Sequence, residues 1–560
     1  MKTSDQPSDV QGQHNMTDYE QARREFAWQV EDEYNFAIDT IGLWAEETGK
    51  LAMLWVGPDG AEERYTFAHF DEQSSRVAHA FEKLGVKKGD RVLLMLPRVV
   101  EWWEVMLGLM KLGAIGIPCT TLLTPKDIAF RAEVAEAIAF VSDASGIAKL
   151  AQVRDACPTL KVVVSVGEPG DACPDGCVGY HPIVDVASLT WYDRRTTASD
   201  PCLIYFTSGT VGYPKMVVHT HASYPIGHTV VTGRYWLDLN PQDLVWNLSE
   251  MGWAKAVWSN FFGPWGNGAA IFVQDARGKF DGPATLATLE QYPISVFCAP
   301  PTAYRVMVQE DLKARTFKAL RHCVGAGEPL NPEVIDAWRE GTGLTIRDGY
   351  GQTETVLLCG NFPLEEVRPG SMGKPSPGFD VAIIDHDGKE LPPDKEGDIA
   401  VRVQPHRPLG LFKEYWRNPE AMERSFRGEW YLTGDRAYRD HDGYFWFVGR
   451  ADDVIISAGY RIGPFEVESA LVEHPAVMEA AVIASPDPMR GEIVKAYVIL
   501  APGYTASDAL AAEIQEHVKT VTAPYKYPRE IEFVTELPKT ISGKIRRVEL
   551  RDRERQKKQK

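Results

Sequence analysis

Long apolar segments, clustered cysteines and a surplus of positive charge are all lacking in this sequence. Apolar runs such as VLLML at 92–96 are far shorter than the about 20 residues of a membrane-spanning helix, so we expect no membrane span. The eight cysteines are scattered along the chain, which is typical of reduced thiols in a cytoplasmic protein. The polar start lacks the apolar stretch of a secretion signal, and we expect residues 1–15 to form a disordered tail.

Acidic residues outnumber basic ones, 78 to 60, and the formal net charge is −18. This charge argues against a general affinity for nucleic acid or for anionic membranes. A phosphate ligand would therefore have to be held by a local cluster of donors. Only residues 546–560 are markedly basic, and a solvent-exposed helix end is favoured there over a docking surface.

The length of 560 residues favours more than one domain, since single hydrophobic cores stop growing at about 250–300 residues. Between residues 65 and 200, strand patterns alternate with helical ones, as in RVLLMLP (91–97), VVEWWEVMLGLMKLG (99–113) and AIGIPC (114–119). This alternation predicts βαβ units and a parallel sheet covered on both faces. The pattern returns between residues 203 and 327.

The pattern changes after residue 380, where Asp-Gly turns separate alternating strands. Residues 449–534 then predict a strand, a helix, two strands, a polar helix and a last strand. The sequence therefore predicts an α/β protein with a large N-terminal domain, 1–450, of βαβ-type sheets with a small β subdomain. A small, mobile α+β C-terminal domain, 451–560, follows. The charged stretch GRADD (449–453) is the candidate hinge.

The stretch TSGTVGYPK (207–215) follows a predicted strand and combines glycines, hydroxyls and a lysine. Glycines let successive backbone N–H groups converge on one anion, and hydroxyls and an ammonium complete such a cradle. The spacing differs from the mononucleotide loop G-x-x-x-x-G-K-[ST], which argues against a kinase of that type. A simple hairpin turn is the alternative, and we favour phosphate binding.

Two further segments carry acidic residues beside turns. In DGYGQTET (348–355), Glu354 stands between two threonines, as a Mg²⁺ ligand on a polyphosphate would, although such a pattern also caps helices. In 429–453, Asp435 follows a Thr-Gly turn and Arg450 follows an aromatic strand. An aspartate can hold both ribose hydroxyls and an arginine can reach ribose or phosphate, but a surface ion pair is the plain alternative.

The C-terminal segment LPKTISGKIRRVEL (537–550) places Lys544 directly after a Ser-Gly turn. On a mobile domain this turn could present the lysine to a site, whereas a lysine-rich C-terminal stretch is usually only solvated. Taken with YFTSGTVGYPK, GAGEPLNPEV, DGYGQTET and YLTGDRAYRDHDGYFWFVGRADD, this segment resembles the adenylate-forming superfamily. That superfamily includes acyl-CoA synthetases, luciferases and the adenylation domains of peptide synthetases. The resemblance spans residues 40–550 and is strongest to medium-chain acyl-CoA synthetases.

The resemblance implies a ligase that uses ATP, Mg²⁺ and a carboxylic acid to form an acyl-adenylate and pyrophosphate. The thiol of CoA then attacks the adenylate, and acyl-CoA and AMP are released. ATP would be bound by Thr207, Ser208, Gly209, Thr210, Lys215, Gly327, Glu328, Pro329, Asp348, Gly349, Tyr350, Asp435 and Arg450. The catalytic residues would be Thr353 at the α-phosphate, Glu354 as the Mg²⁺ ligand and Lys544 at the carboxylate and α-phosphate.

For the second half-reaction, the resemblance implies a rotation of the C-terminal domain about a hinge at Asp452, which brings Gly459, Tyr460 and Arg461 to the CoA channel. Acetate-using relatives carry tryptophan where Gly351 stands here, so glycine implies room for a longer or bulkier acyl group. The segment 249–268, with Trp253, resembles the wall of an acyl pocket, although aromatic residues at such spacing are more often core. A medium-chain, a branched and an aromatic acid all remain open.

Two other functions fit the same motifs. A stand-alone ligase would pass the acyl group to a carrier protein or to another acceptor, and no carrier domain is visible in this chain. A non-catalytic nucleotide-binding relative is the other alternative. The presence of Lys215, Glu354, Asp435 and Lys544 argues against it, since a degenerate relative would be expected to lose at least one of them.

Overall fold

The computed structural model describes residues 14–168, 176–207, 214–457, 460–540 and 544–558. The strands in these ranges are, in chain order, β1 (Leu51–Val56), β2 (Glu62–Thr66), β3 (Arg91–Met95), β4 (Ile115–Pro118), β5 (Ala139–Asp143), β6 (Val162–Val166), β7 (Val178–Gly179), β8 (Pro201–Thr207), β9 (Lys215–Thr220), β10 (Leu244–Asn247), β11 (Ala270–Gln274), β12 (Val296–Ala299), β13 (His322–Ala326), β14 (Ile346–Gly351), β15 (Leu357–Gly360), β16 (Ser371–Pro375), β17 (Val381–Ile384), β18 (Gly397–Arg402), β19 (Glu414–Tyr415), β20 (Phe426–Arg427), β21 (Trp430–Arg439), β22 (Phe445–Arg450), β23 (Ile455–Ser457), β24 (Tyr460–Ile462), β25 (Val477–Asp487), β26 (Gly491–Leu500) and β27 (Glu530–Phe533).

The α-helices in the same ranges are α1 (Tyr19–Glu25), α2 (Ile41–Ala45), α3 (Phe67–Lys83), α4 (Glu101–Leu112), α5 (Pro125–Val134), α6 (Ala144–Ala151), α7 (Tyr180–Val184), α8 (Ser223–Gly227), α9 (Ala254–Val257), α10 (Gly263–Gly266), α11 (Gly282–Gln291), α12 (Pro301–Met307), α13 (Pro332–Thr342), α14 (Pro419–Arg424), α15 (Pro464–Val472), α16 (Asp508–Val521) and α17 (Arg547–Lys558). Short π-helical segments lie at Phe36–Thr40, His228–Trp236 and Trp258–Phe262, and 3₁₀ turns at Arg154–Ala156 and Leu312–Ala314. Among the described residues, no helix is both long and apolar enough to cross a lipid bilayer.

Two large sheets organise the chain up to Arg450. The first has the strand order β17-β18-β21-β22-β16-β15-β14-β13-β12-β10-β11-β1-β2, with β20 beside β21, and the second has the order β19-β9-β8-β4-β3-β5-β6-β7. Parallel pairing runs from β1 through β11, β10, β12 and β13 to β14, and again among β3 to β8 in the second sheet. The predicted βαβ units are therefore confirmed.

Helix α4 illustrates how the sequence builds these layers. It is apolar around most of its circumference, with Trp102 and Trp103 fully buried, because it packs between the second sheet and helix α3. It ends at Gly113, which adopts a left-handed backbone conformation with φ of 80°. The next strand, β4, begins two residues later, so the chain returns directly to the sheet.

The predicted small β subdomain consists of antiparallel strands that extend the first sheet. β17 pairs with β18, β18 with β21, and β21 with β22, while β22 also pairs with β16. Antiparallel strands can therefore continue a sheet whose centre is parallel, which a strand-by-strand sequence prediction does not reveal. The α/β class is confirmed.

A third sheet, with the order β24-β23-β26-β25 and β27 beside β26, is built from residues beyond 450. Helices α15 and α16 cover it, and Ile455, Leu471, Val482 and Ile514 are among the buried residues of its own apolar core. The predicted order of strand, helix, two strands, helix and strand is present, and a hairpin with β24 is added before the first helix.

Two expectations about the chain ends need correction. Residues 14 and 15, expected in a loose tail, are held by Asp238, whose carboxylate pairs with His14 Nδ1 at 2.7 Å and accepts the Asn15 N–H at 2.8 Å. The basic C-terminal segment forms α17, but it is not simply solvated. Leu550 and Glu554 are buried, because one face of the helix packs on β25 and Glu554 pairs with Lys495 at 2.6 Å.

Candidate active site

The buried carboxylate of Asp435 is the centre of a polar network at the ends of β14 and β22. It accepts hydrogen bonds from the Tyr350 hydroxyl at 2.6 Å, from Gln352 Nε2 at 2.8 Å and from Arg450 Nη1 at 2.9 Å. Asp435 and Arg450 face each other in the antiparallel register of β21 and β22. Sequence reasoning missed Gln352, whose amide also donates to the carbonyl oxygen of Thr433 at 2.8 Å.

The charge of Asp435 shifts the pKa values of two of its hydrogen-bond partners. The Asp435 carboxylate raises the pKa of Arg450 above its usual range. Burial, and then the same carboxylate, raises the pKa of Tyr350 far above that of a free phenol. Arg450 therefore stays cationic and Tyr350 stays a hydrogen-bond donor at neutral pH, so the plain surface ion pair considered for Asp435 and Arg450 does not describe this site.

Glu354 lies in the turn that follows β14, and no helix starts there. Its Oε1 accepts a hydrogen bond from the Tyr415 hydroxyl at 2.9 Å, and its carbonyl oxygen accepts the Phe412 N–H at 2.8 Å. Burial raises the pKa of Glu354. The ammonium of Lys215 lies 4.6 Å from the centre of the Tyr415 ring, and its charge partly offsets that effect of burial. Lys215, Glu354 and the unpredicted Tyr415 thus form one cluster.

The neighbour of Glu354 in the sequence, Thr353, is fixed through its main chain. Its carbonyl oxygen lies 2.7 Å from Nε2 of the buried His219. Burial lowers the pKa of His219 to about 3, so this imidazole is neutral and donates from Nε2. The histidine holds the turn in place without adding charge to it.

The glycine-rich stretch 207–215 connects two antiparallel strands, in which Thr207 and Lys215 are register partners. The strands on either side of this stretch therefore pair as the arms of a hairpin, and Lys215, the first residue of β9, belongs to the Glu354 cluster. Ser208, Gly209 and Thr210 lie outside the described residues, and so does Gly459 of the predicted CoA loop.

The stretch Gly327, Glu328 and Pro329 follows β13, whose last residue pairs in parallel with Gly349 of β14. Asp348 is 6% exposed, and burial raises its pKa to about 8. A side chain at Gly349 would place a Cβ atom 2.5 Å from the Trp236 ring, so only glycine fits between these groups. The predicted adenine-binding residues are thus adjacent at two strand ends.

Lys544 is exposed and is held by a short hairpin rather than by a buried network. Its N–H donates to Thr540 Oγ1 at 3.1 Å, and its carbonyl oxygen accepts the Thr540 N–H at 2.7 Å. Three residues later, Arg547 donates from Nη2 to both carboxylate oxygens of the buried Glu468, at 2.8 and 2.6 Å. The start of α17 is therefore fixed close to Lys544.

Contacts also connect the third sheet and its helices to the larger part of the chain. Asn331, which precedes α13, donates to Ser469 Oγ of α15 at 3.1 Å. Within the part of the chain beyond residue 450, Arg551 of α17 forms an ion pair with Asp453, which is the neighbour of the predicted hinge residue Asp452. Tyr460, of the predicted CoA loop, is 53% exposed and stacks on Tyr525, with 4.4 Å between the ring centres.

The predicted acyl-pocket segment contains both fully buried and half-buried aromatic residues. Phe261 and Phe262 are fully buried and pack on Phe36, so they belong to the core. Trp253 and Trp258 are only half-buried. Gly351 is exposed at the end of β14, and a Cβ atom there would lie 2.6 Å from the Val356 carbonyl oxygen. A side chain at this position would therefore require the main chain to move.

Known proteins resemble this chain over nearly its whole length. The family described as "AMP-binding enzyme" matches residues 44–416, and the family "AMP-binding enzyme C-terminal domain" matches residues 466–544. The human protein "Acyl-coenzyme A synthetase ACSM3, mitochondrial" is 48% identical over 549 residues, covering 96% of this chain and 93% of its own. The mouse protein "Acyl-coenzyme A synthetase ACSM5, mitochondrial" is 46% identical, covering 94% and 91%.

Solved structures resemble the fold as well. The anthranilate CoA ligase AuaEII, in complex with anthranoyl-AMP, has a TM-score of 0.86 at 32% identity and covers 94% of this chain and 98% of its own. An acyl-CoA synthetase of Brucella canis has a TM-score of 0.71 at 36% identity and covers 97% and 98%.

The expected cytoplasmic location is wrong. Both relatives named above are mitochondrial proteins, which points to mitochondria rather than to the cytoplasm. The expectation rested on the missing apolar stretch of a secretion signal and on scattered cysteines. Neither observation excludes mitochondria, because mitochondrial addresses are amphipathic rather than apolar.

Proposed function

We infer that this chain, which belongs to the AMP-binding enzyme family, is an acid–thiol ligase: an acyl-CoA synthetase that forms AMP. ATP and a carboxylic acid give an acyl-adenylate and pyrophosphate, and CoA then takes the acyl group and releases AMP. The observation that supports this best is the Asp435 network, which presents a buried, prearranged carboxylate of the kind that binds ribose hydroxyls.

The nucleotide would lie across the strand ends of the first sheet. Gly327, Glu328, Pro329, Asp348, Gly349 and Tyr350 would line the adenine, and Asp435 with Arg450 would hold the ribose. Thr207, Ser208, Gly209, Thr210 and Lys215 would hold the β- and γ-phosphates, which leave as pyrophosphate. Lys215, whose ammonium lies over the Tyr415 ring, would supply positive charge for that leaving group.

Glu354 is the proposed Mg²⁺ ligand. Its carboxylate is a hard oxygen donor, and burial raises its pKa, so a bound cation would stabilise its charged form. The residues present therefore fit the ion. When bound, Mg²⁺ would supply positive charge to the polyphosphate of ATP.

The adenylation step brings a carboxylate to the α-phosphate, so two anions must approach each other. Lys544 would place its ammonium between the attacking oxygen and the α-phosphate, where negative charge develops. The main chain of Thr353, fixed by His219, would hold its side chain at the α-phosphate. The carboxylate oxygen forms a bond to phosphorus as the bond to pyrophosphate breaks.

The second step requires a path for the thiol of CoA. We propose a C-terminal domain, 451–560, that turns about Asp452 relative to residues 1–450 and carries Lys544 away from the adenylate. Gly459, Tyr460 and Arg461 would then face the CoA channel. The exposed position of Tyr460 and the short hairpin that holds Lys544 favour such an exchange.

The acid would enter a pocket with Trp253 and Gly351 in its wall. Two half-buried tryptophans, Trp253 and Trp258, favour an apolar acyl group. Medium-chain, branched and aromatic acids remain candidates, and AuaEII, whose structure this chain resembles, is an anthranilate CoA ligase.

Product analysis tests this function. The purified protein is incubated with ATP, Mg²⁺, CoA and a panel of carboxylic acids, and the products are identified by mass spectrometry. We expect AMP, pyrophosphate and one dominant acyl-CoA. ADP as the nucleotide product would contradict the proposal. AMP without a CoA ester would indicate a carrier protein or another acceptor, and no turnover would favour a non-catalytic relative.

A further inference from the structure

Lys255 is a cation within the candidate site to which the proposed mechanism gives no role. It lies in α9, between the half-buried Trp253 and Trp258 of the proposed acyl-pocket wall. Its ammonium donates to the carbonyl oxygen of Ala326 at 2.9 Å, and Ala326 directly precedes the adenine-binding stretch. The side chain therefore reaches from the acyl wall to the nucleotide-binding residues.

The charge of Lys255 is poorly compensated. An ammonium has three N–H donors, and the Ala326 carbonyl is the one hydrogen-bond acceptor that Lys255 contacts within the described ranges. No carboxylate of the described residues lies within 4.0 Å of it. Burial lowers the pKa of Lys255, which shows that its surroundings disfavour the charged form. A partly buried cation of this kind is stabilised by an anionic ligand.

Asp348 and Glu328 are the two carboxyl groups whose charges act on Lys255, and neither supplies that anion. Burial raises the pKa of Asp348 to about 8, so this group is largely neutral at pH 7. Glu328 already lies 3.9 Å from the guanidinium of Arg305. Lys544 acts on Lys255 as a second positive charge, so both ammonium groups belong to the same electrostatic neighbourhood.

We propose that Lys255 binds the carboxylate of the acid substrate and holds it for attack on the α-phosphate. This inference rests on the proposed function. Lys255 would contact one carboxylate oxygen, while the other oxygen, next to Lys544, forms the bond to phosphorus as pyrophosphate leaves. The oxygen at Lys255 becomes the carbonyl oxygen of the acyl-adenylate, and no proton is transferred. Lys255 then retains its hydrogen bond to that carbonyl.

A purely structural role for Lys255 makes a different prediction. If the lysine only supports the Ala326 carbonyl, its loss would disturb the adjacent adenine-binding stretch and weaken ATP binding. If it binds the substrate carboxylate, its loss would weaken binding of the acid and leave ATP binding nearly unchanged. The two roles can therefore be separated by the substrate that is affected.

The test uses Lys255→Met, Lys255→Arg and, as a matched control, Lys279→Met, which changes an exposed lysine between β11 and α11. The KM values for acid and ATP are measured with the preferred acid. A charge-assisted hydrogen bond predicts a KM for the acid about 10- to 100-fold higher in Lys255→Met, with the KM for ATP changed less than about 3-fold. Lys255→Arg should recover part of the acid affinity, and Lys279→Met should behave as wild type.

Calorimetry provides a readout without turnover. The acid and its primary amide are titrated into protein saturated with α,β-methylene-ATP. Wild type should prefer the carboxylate to the neutral amide, and Lys255→Met should lose that preference. An unchanged preference, or a KM effect confined to ATP, would overturn the inference while leaving acyl-CoA synthesis intact. Lys255-dependent acid binding without any acyl-CoA product would overturn the proposed function instead, and a wild type with neither property would overturn both.

Discussion

Asp435 and Lys544 represent two ways in which this site holds a charged group. Asp435 is 3% exposed and accepts hydrogen bonds from three side chains, so its orientation is fixed before any ligand arrives. Lys544 is exposed and is held by two hydrogen bonds to Thr540 within one hairpin. Rigid placement suits the role proposed for Asp435, which is to bind the nucleotide in both half-reactions. Weak placement suits the role proposed for Lys544, which is to leave before CoA reacts.

The largest effect should follow from removing the weakly held group. Lys544→Ala removes the positive charge that we propose lies between the carboxylate and the α-phosphate, and we expect adenylation to fall by about 10³-fold or more. Thioester formation from supplied acyl-adenylate should stay within a few-fold of wild type. The two rates are measured by ATP–pyrophosphate exchange and by acyl-CoA release, respectively.

Lys539→Ala is the control, because Lys539 lies in the same hairpin and pairs with Glu479 at 2.7 Å. It should affect both half-reactions little. Equal losses of both half-reactions in Lys544→Ala would contradict the proposal that Lys544 acts in adenylation alone.

Substitution of the rigidly held Asp435 should weaken the binding of ATP. Asp435→Asn keeps the shape but leaves Arg450 without its counter-charge, and we expect the KM for ATP to rise by about 10- to 100-fold. Steady-state kinetics with varied ATP measures this rise. Asp442→Asn, at an exposed aspartate, is the control. An unchanged KM for ATP in Asp435→Asn would mean that the buried network is only structural.

The contrast also predicts a residue that acts on Lys544 from a distance. Glu468→Gln weakens the bidentate pair with Arg547, which fixes the start of α17 three residues after Lys544. We expect adenylation to fall by about 10-fold, while thioester formation changes little. The same two half-reaction assays measure these rates.

Glu466→Gln is the matched control on the same helix, where the exposed Glu466 pairs with Lys526. A parallel loss of both half-reactions in Glu468→Gln, together with a lower melting temperature, would indicate a loss of folding rather than of positioning.

The smallest effect concerns the contact between α13 and α15. Burial, and then the neighbouring Glu473, raises the pKa of Glu333 to about 7. The folded state therefore holds this proton more tightly than the unfolded state, whose glutamate titrates near 4.5. The resulting stability is fully present below pH 4.5 and is lost as the pH rises through 7.

Glu333→Gln should abolish the loss of stability that wild type shows as the pH rises through 7. We expect equal melting temperatures of variant and wild type at pH 4.5 and a gain for the variant at pH 8. Because Glu333 is only partly buried, the gain should correspond to about 1 kcal/mol. Thermal unfolding at both pH values measures it, with Glu340→Gln on the exposed face of α13 as the control. A gain of equal size at both pH values would contradict the titration.

The sequence predicted those elements whose residue pattern is local, within a single strand or helix. The alternating patterns predicted β3, α4 and β4 nearly to their ends, because burial on both faces of a parallel strand leaves a continuous apolar run. The Thr-Gly turn predicted before Asp435 is not formed, because residues 433–435 lie within the continuous strand β21, where Gly434 adopts a φ of 74°. The residues of the turn predicted before Lys544, 541–543, lie outside the described ranges.

The remaining features depend on pairs that are distant along the chain. Tyr415 reaches Glu354 across 61 positions, and Gln352 reaches Asp435 across 83. No local pattern distinguishes such residues from ordinary polar ones. Lys255 was hidden in the same way, since only the fold brings α9 next to the end of β13.

In the proposed mechanism, the carboxylate itself attacks the α-phosphate of ATP. An acid labelled with ¹⁸O in both carboxyl oxygens, incubated with the protein, ATP, Mg²⁺ and CoA, shows whether it does. The mechanism predicts one labelled oxygen in the released AMP and one in the acyl-CoA, with none in pyrophosphate. Unlabelled AMP, or label in inorganic phosphate, would contradict adenylation and with it the roles of Asp435 and Lys544 described above.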